Sequence, residues 1–327
     1  MIISRTPFRI SFFGGGTDFP EFYSEHGGAV LATTIDKYCY ITIHRLAPFF
    51  KYRFKASYAR TETVQDPAQF EHPLIRECLL FADVREGLEI AHVSDLPGRT
   101  GLGTSSSFTV GLLHALHAYR HAPVTPEQLA REAITIEREC VGDPGGHQDQ
   151  YAAAYGGFVR MDFSGSQQVV VRDLQLPDAR MRALQQHLLM FYTGTEQAAD
   201  HILTEQRARA KQNVCALRRM TELVNQAERA IQSDRLAEFG ALLHETWMLK
   251  KGLSSGISNG GIDDAYAAAR AAGALGGKLL GAGGRGFLLL FAEPSRHDAI
   301  RARLTALREA AFSMPAEGSR IIFASQE

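Results

Sequence analysis

Residues 95–116 read "DLPGRTGLGTSSSFTVGLLHAL". Gly98, Gly101 and Gly103 lead into Thr104, Ser105, Ser106 and Ser107, and an apolar run follows. A flexible linker would lack the Leu102 wedge and would separate regions of different composition. Here the preceding "GLEIAHVS" (87–94) reads as a strand. The following residues Phe108, Leu112, Ala115, Leu116 and Tyr119 recur at helical spacing over 105–121. The hydroxyl cluster therefore sits where a helix begins. Backbone N–H groups there lack intrahelical partners and the helix dipole is positive, so an anion is stabilised. Glycines remove the Cβ atoms that would hold an anion away from the backbone. On these residues alone, a phosphate cradle and a simply capped helix both remain open.

Working outward, "GAVLATTIDKYCYITIHRL" (28–46) and "YRFKASYA" (52–59) read as strands, and "LIRECLLFADV" (74–84) as a helix. Residues 126–141 carry Leu129, Ala133, Ile136 and Cys140 at helical spacing after a Thr125-Pro126 start. "GGFVRMDF" (156–163) and "QQVVVRDL" (167–174) read as a strand pair around Gly165-Ser166. After Pro177 the composition shifts, and 196–251 is dominated by good helix formers. "NGGIDDAYAAARAAGA" (259–274) and "SRHDAIRARLTALREAA" (295–311) read as helices, "GFLLLFAE" as a buried strand and "SRIIFAS" as a closing strand. The expectation is an α+β chain with a boundary near 165–180, giving domains 1–175 and 176–327.

The 327 residues are 45% hydrophobic and 22% charged, enough to bury a large core and to split in two. A formal net charge of -1 predicts no nucleic-acid or membrane-surface footprint. Cys39, Cys78, Cys140 and Cys215 form no CxxC pair, as in a chain with reduced structural thiols. The start "MIISRTPFRISFFGGG" does not read as a signal peptide, and runs such as "FLLLFA" are too short to span a bilayer. The expectation is a cytoplasmic protein with a small ligand. The sequence leaves oligomeric state open, a homo-oligomer included.

Two further glycine stretches stand out. "GGGTD" (14–18) can be a tight turn, and Asp18 either an Asx-turn residue or a ligand for sugar hydroxyls. "GAGGRG" (281–286) formally matches GxGxxG, but a dinucleotide fingerprint follows a strand and opens a helix. Here a helix is expected before the loop and a buried strand after it. No stretch matches GxxxxGK[ST]. Glu137 lies at the border of an apolar helix face, where a carboxylate needs a partner; a salt bridge to Arg138 or Arg131, or a solvated edge, accounts for it on these residues alone. "GDPGGHQDQY" (142–151) is a Gly/Pro turn delivering Gln148, Asp149 and Gln150 to a helix start, where Asp149 is either a helix cap or the carboxylate of a prepared site, with His147 read as a turn residue.

The three glycine stretches together resemble the motifs of the GHMP small-molecule kinases. "PFRISFFGGGTD" keeps Pro7, Arg9, Gly14, Thr17 and Asp18 of the first motif, with Phe8 and Gly15 departing. "PGRTGLGTSSS" is similar to the second, with Thr104 and Ser106 as replacements, and "KLLGAGGRG" to the third. Within the family, "GGHQDQYAAAYGG" and its neighbours resemble the branch that phosphorylates a heptose 7-phosphate on its anomeric hydroxyl. The fold implied has two domains: an N-terminal mixed α/β domain with the glycine-rich phosphate loop, and a C-terminal ferredoxin-like α+β domain.

The resemblance also implies a site. ATP phosphates would lie against Pro97, Gly98, Gly101, Leu102, Gly103, Thr104, Ser105 and Ser106. Ser105 and Glu137 would hold Mg2+, Asp149 would act as base or orienting carboxylate, and Arg9 would stabilise the transferring group. Gly15, Gly16, Thr17 and Asp18, with Gly281, Gly283 and Gly284, would hold the sugar phosphate. Arg285 stands where the third motif has glycine, and either points to solvent or helps hold a phosphate. Lys37, Arg45 and Lys278 are undiscriminated candidates for the distal phosphate. A kinase for another sugar, a non-catalytic sensor on the same fold and a nicotinamide oxidoreductase using "GAGGRG" are the alternatives.

Overall fold

A computed structural model describes residues 1–165, 168–194 and 199–325. Its first strand, β1 (Ile2–Phe13), is apolar enough to be buried along most of its length. A glycine turn and a short helix, α1 (Pro20–His26), return the chain antiparallel into β2 (Gly28–Arg45). β2 is long enough to serve two neighbours. Its first half, Gly28–Thr33, pairs with β6 (Phe158–Phe163), and its second half, Cys39–Arg45, pairs with β5 (Leu88–Ser94). β3 (Phe54–Ser57) and β4 (Thr61–Val64) extend the β5 side, and β7 (Val169–Asp173) extends the β6 side. Ser166 and Gln167, within the expected strand pair, lie outside the described residues.

Helices α3 (Thr104–Tyr119) and α5 (Gln148–Tyr155) pack on this sheet, and α2 (Pro73–Phe81) and α4 (Pro126–Ile134) pack in turn on α3. α3 packs on β1 and β2, and residues 106–113, 115 and 116 are buried, so nearly its whole circumference is covered. α4 opens as expected, with the Thr125 side chain accepting from the Gln128 N–H and Pro126 in the first turn. The single helix expected over 126–141 is corrected, because Thr135–Val141 winds as a π-helix. Such widened turns change which way side chains point and recur at functional sites. Glu137 and Arg138 lie on this one.

The second half adds α6 (Asp178–Gln186), β8 (Leu188–Gly194), α7 (Ala199–Ala208), α8 (Val214–Gln232), α9 (Leu236–Lys251), α10 (Gly260–Ala271), β9 (Ala274–Leu279), β10 (Gly286–Ala292), α11 (His297–Arg303) and β11 (Arg308–Glu309). Residues 196–198, the start of the expected helical region, are outside the described ones. The second sheet runs β11-β8-β10-β9, all antiparallel. In chain order that is 4-1-3-2, the ferredoxin-like arrangement. β10 is buried at every residue, as its unbroken apolar run requires. Two expectations are corrected. The loop after Lys278 follows strand β9, not a helix; it still opens no helix, so "GAGGRG" lacks the dinucleotide context. The helix expected over 295–311 stops at Arg303, and the chain goes on to β11.

The last strand, β12 (Arg320–Ala324), does not join the second sheet. It pairs antiparallel with β1, so this part of the expected 176–327 unit is built into the first sheet. Among the described residues, no helix is long and apolar enough to cross a membrane.

Candidate active site

Two of the three glycine stretches meet. Gly101 and Gly281 face each other so closely that a Cβ on Gly281 would fall 2.2 Å from the Gly101 Cα. Both have positive φ, at 79° and 72°, so side chains are excluded by conformation as well as by space. The phosphate-loop candidate from the first sheet is thus closed by the 280–285 loop of the second. The Lys250 Nζ, at the end of α9, secures that closing loop by donating to the Leu279 and Gly281 carbonyls. Lys250 was not singled out in the sequence, and "LKK" at 249–251 reads only as a cationic helix end.

Arg9 ties β1 to the same place. Its Nε donates to Asp149 Oδ1 at 2.7 Å, Nη2 to Asp149 Oδ2 at 2.8 Å, and Nη1 to the Gly101 carbonyl at 2.6 Å. Its backbone N–H donates to the Leu102 carbonyl. The guanidinium is buried and spent largely on Asp149, so it holds a carboxylate in place while facing the phosphate loop. Ser107 completes the joint by donating to the Pro7 carbonyl at 2.8 Å.

Three consecutive residues at the start of α5 distribute the rest. The Gln148 side chain and N–H donate to Asp18 Oδ2. Asp149 takes the Arg9 fork. Gln150 Nε2 donates to Glu137 Oε2 at 2.5 Å. The turn before them is braced by the His147 N–H on the Asp18 carbonyl and by the Tyr23 hydroxyl at His147 Nδ1, 3.0 Å away. Burial, with Arg138 nearby, pushes the His147 imidazole down to about 4, so it is neutral.

Glu137 is 3% exposed. Burial pushes its carboxyl up to about 7, against the steadying contacts of Thr109, Ser106 and Gln150. Ser106 Oγ donates to Oε2 at 2.9 Å, while Oε1 is buried without a hydrogen bond. The hydroxyl on Glu137 is therefore that of Ser106, read from the sequence as a phosphate contact. Ser105, read as the metal ligand, is exposed one residue earlier. The Thr104 hydroxyl accepts from the Arg99 N–H at 3.3 Å, and that of Thr100 donates to the Pro97 carbonyl, so both shape the loop. Pro97 and Gly98 are exposed at its entrance, and Leu102 is buried beneath it.

Asp18 is buried, with Oδ1 accepting from Gly16 N–H and Oδ2 from Gln148. Burial, then the Asp149 charge, raise its carboxyl above the ordinary range. Thr17 spends its hydroxyl on the Gly14 and Ala29 carbonyls. These two side chains fix the turn, and Gly15 is its partly exposed member. Gly283 and Gly284 lie against Ile257 and Ile202. Arg285 is exposed, its side chain lying over Gly194 at the end of β8.

The distal-phosphate candidates separate. Arg45 lies with Met1, Asp83 and Arg120 at the opposite end of β2. Lys37 is paired with Asp36. Lys278 is near the site but 2% exposed, donating to the Phe12 carbonyl at 3.1 Å. Burial, then Lys250 and Arg9, hold its ammonium well below the usual lysine range.

A pair of glycine loops between two α+β units, flanked by a clamped carboxylate and a buried one, suits a small-molecule phosphotransferase. Residues 73–157 match the GHMP kinases N terminal domain and residues 227–309 the GHMP kinases C terminal domain, and the chain belongs to this family of ATP-dependent kinases. It is 29% identical over 307 residues to the D-glycero-alpha-D-manno-heptose 7-phosphate kinase of Campylobacter jejuni, covering 90% of each chain. It is 27% identical to the bifunctional fucokinase/GDP-fucose pyrophosphorylase of Arabidopsis thaliana, over 91% of this chain but 30% of that one. The crystal structure of a D-glycero-D-manno-heptose 1-phosphate kinase from Bacteroides thetaiotaomicron has the same fold, with a TM-score of 0.82 over all of both chains at 24% identity.

Proposed function

We propose that this kinase transfers the γ-phosphoryl group of ATP to the anomeric hydroxyl of D-glycero-D-manno-heptose 7-phosphate. The product is the α 1,7-bisphosphate, an intermediate toward nucleotide-activated heptose for surface polysaccharide. The observation that carries the reading is the Gln148–Asp149–Gln150 triplet, which joins the sugar-side turn, the clamped carboxylate and the buried carboxylate at one helix start. Similarity to the Campylobacter enzyme along 90% of the chain supports the acceptor. A cytoplasmic setting, where ATP is available, belongs to the same reading.

Phosphoryl transfer needs alignment and charge neutralisation more than covalent chemistry. The anomeric oxygen forms the new O–P bond as the bond to the β-phosphate oxygen breaks, and the hydroxyl proton passes to Asp149. A carboxylate has about four lone-pair sites. Arg9 occupies one on each Asp149 oxygen, which fixes the carboxylate and leaves acceptor capacity for the hydroxyl. The α3 N-terminus and the loop at Gly101 and Gly103 receive the phosphates.

Mg2+ fits the residues present: Glu137 Oε1 is a buried carboxylate oxygen without a hydrogen bond, beside serine hydroxyls at the mouth of the phosphate loop. Glu137 with Ser105 or Ser106 would hold it, and it would supply charge neutralisation between the phosphates. The 27% identity to a fucokinase supports fucose as a second acceptor reading. A coupled ADP-release assay across heptoses, fucose and their phosphates tests both. Turnover confined to heptose 7-phosphate is the expected result, and turnover confined to an unphosphorylated sugar overturns it.

A further inference from the structure

Glu21 stands three residues beyond Asp18, in α1, and two arginines share it. Arg138 Nη2 donates to Glu21 Oε1 at 3.1 Å, and Arg207 Nε approaches the same oxygen at 2.6 Å. The second oxygen, Oε2, is buried without a hydrogen bond.

The two cations come from different parts of the molecule. Arg138 lies on the π-helical turn beside Glu137 and also donates to the Gly145 carbonyl, in the turn that holds Asp18. Arg207 lies on α7, which is pinned to the closing glycine loop. Gln206 Nε2 donates to the Ala282 carbonyl at 3.2 Å, and Ile202 fills the space beside Gly284. The Arg207–Glu21 pair therefore bridges the closing loop's helix and the sugar-side turn.

One carboxylate cannot neutralise two guanidinium groups, so a positive charge is left over. A phosphomonoester carries close to two negative charges and three acceptor oxygens, and guanidinium forks match that geometry. Arg207 is about half exposed, at 48%, and is free to exchange one acceptor for another. The other cations considered are far away, paired or buried.

We propose that Arg138 and Arg207 form the subsite for the distal phosphate of the acceptor, with Glu21 as an internal placeholder that the phosphate displaces. This deepens the sugar-phosphate reading above and rests on it. Arg207 then contributes specificity from the second half of the chain. Closing of α7 toward α1 and recognition of the phosphate are one event.

The test compares kcat/KM for heptose 7-phosphate with that for the same heptose lacking the phosphate, in wild type, Arg207→Gln and Glu21→Gln. Thermal melts check that each variant is folded. Arg207→Gln should lower the ratio about tenfold or more, the scale of one lost charge-assisted hydrogen bond. Glu21→Gln removes the competing carboxylate and should move KM for the phosphorylated sugar the other way, downward. A purely structural bridge predicts that both variants, which break the same ion pair, fall together with an unchanged ratio. That result overturns the subsite while leaving the kinase reading intact. A wild-type enzyme that prefers the unphosphorylated heptose overturns the sugar-phosphate reading and the subsite with it.

Discussion

Arg9 and Asp149 face each other as a two-point fork, with N–O distances of 2.7 and 2.8 Å, 140 residues apart in sequence. The pair couples the first strand to the start of α5 and fixes the carboxylate that faces the cradle. Asp149→Asn keeps the shape but offers an amide where a proton acceptor is required. Turnover should fall roughly a hundredfold to ten-thousandfold, while calorimetry still shows ATP binding. Near-normal kcat in this variant removes Asp149 from the chemistry.

Glu137 makes the protein's stability respond to pH. Its carboxyl stands at about 7 in the folded chain against 4.5 for an ordinary glutamate. Between those values the folded state holds a proton that the unfolded state has lost. Stability from this group is complete below about pH 4.5 and declines as pH rises to about 7, by up to about 3 kcal/mol. Glu137→Gln should erase that slope and melt higher than wild type at pH 8 without ligand. It should also lose the extra stabilisation that Mg2+ with nucleotide gives wild type. A variant whose melting curves track wild type at every pH, with and without Mg2+, refutes this role.

Gly281→Ala places a methyl group against Gly101 at positive φ. The two loops must part, and the cost is on the order of 1–3 kcal/mol. KM for ATP should rise together with the loss of melting temperature. Gly260→Ala, at the exposed start of α10 with nothing within 4 Å of its Cβ, is the control and should leave both unchanged.

Thr104→Ser retains the hydroxyl that accepts from Arg99 N–H and loses only a methyl group. KM for ATP should stay within about twofold of wild type, because the hydrogen bond is kept. Thr104→Val, which removes the acceptor, should loosen the loop and raise KM. Equal kinetics in the two variants would show that the loop does not depend on this contact.

Much of this site was legible because its parts are local patterns. Glycines before a hydroxyl cluster at a helix start restrict the stretch to an anion cradle or a simply capped helix, and Thr125-Pro126 marks a helix start. The rest depends on contacts across the fold. Whether Ser105 or Ser106 faces Glu137 is set by how α3 rotates against the π-helical turn, and residue order does not encode that rotation. Glu21 and Arg207 carried no local signal, and Arg138 was weighed only as a partner for Glu137, because the ion pairs on Glu21 join α1 to the π-helical turn and to α7 across the fold. β9 was hidden in "GALGGKLL", where alanine and glycine carry little strand preference and pairing with β10 decides the outcome.

The return of β12 to β1, with the Ser325 N–H donating to the Met1 carbonyl, ties early and late parts of the chain together. On the ribosome β1 is made well before its outer neighbour, which emerges only after the whole second sheet. The first sheet cannot be finished while the second is still being synthesised. The nascent chain thus carries an incomplete first sheet until its closing half exists, and completion of the framework around the proposed ATP site becomes a late event of biosynthesis.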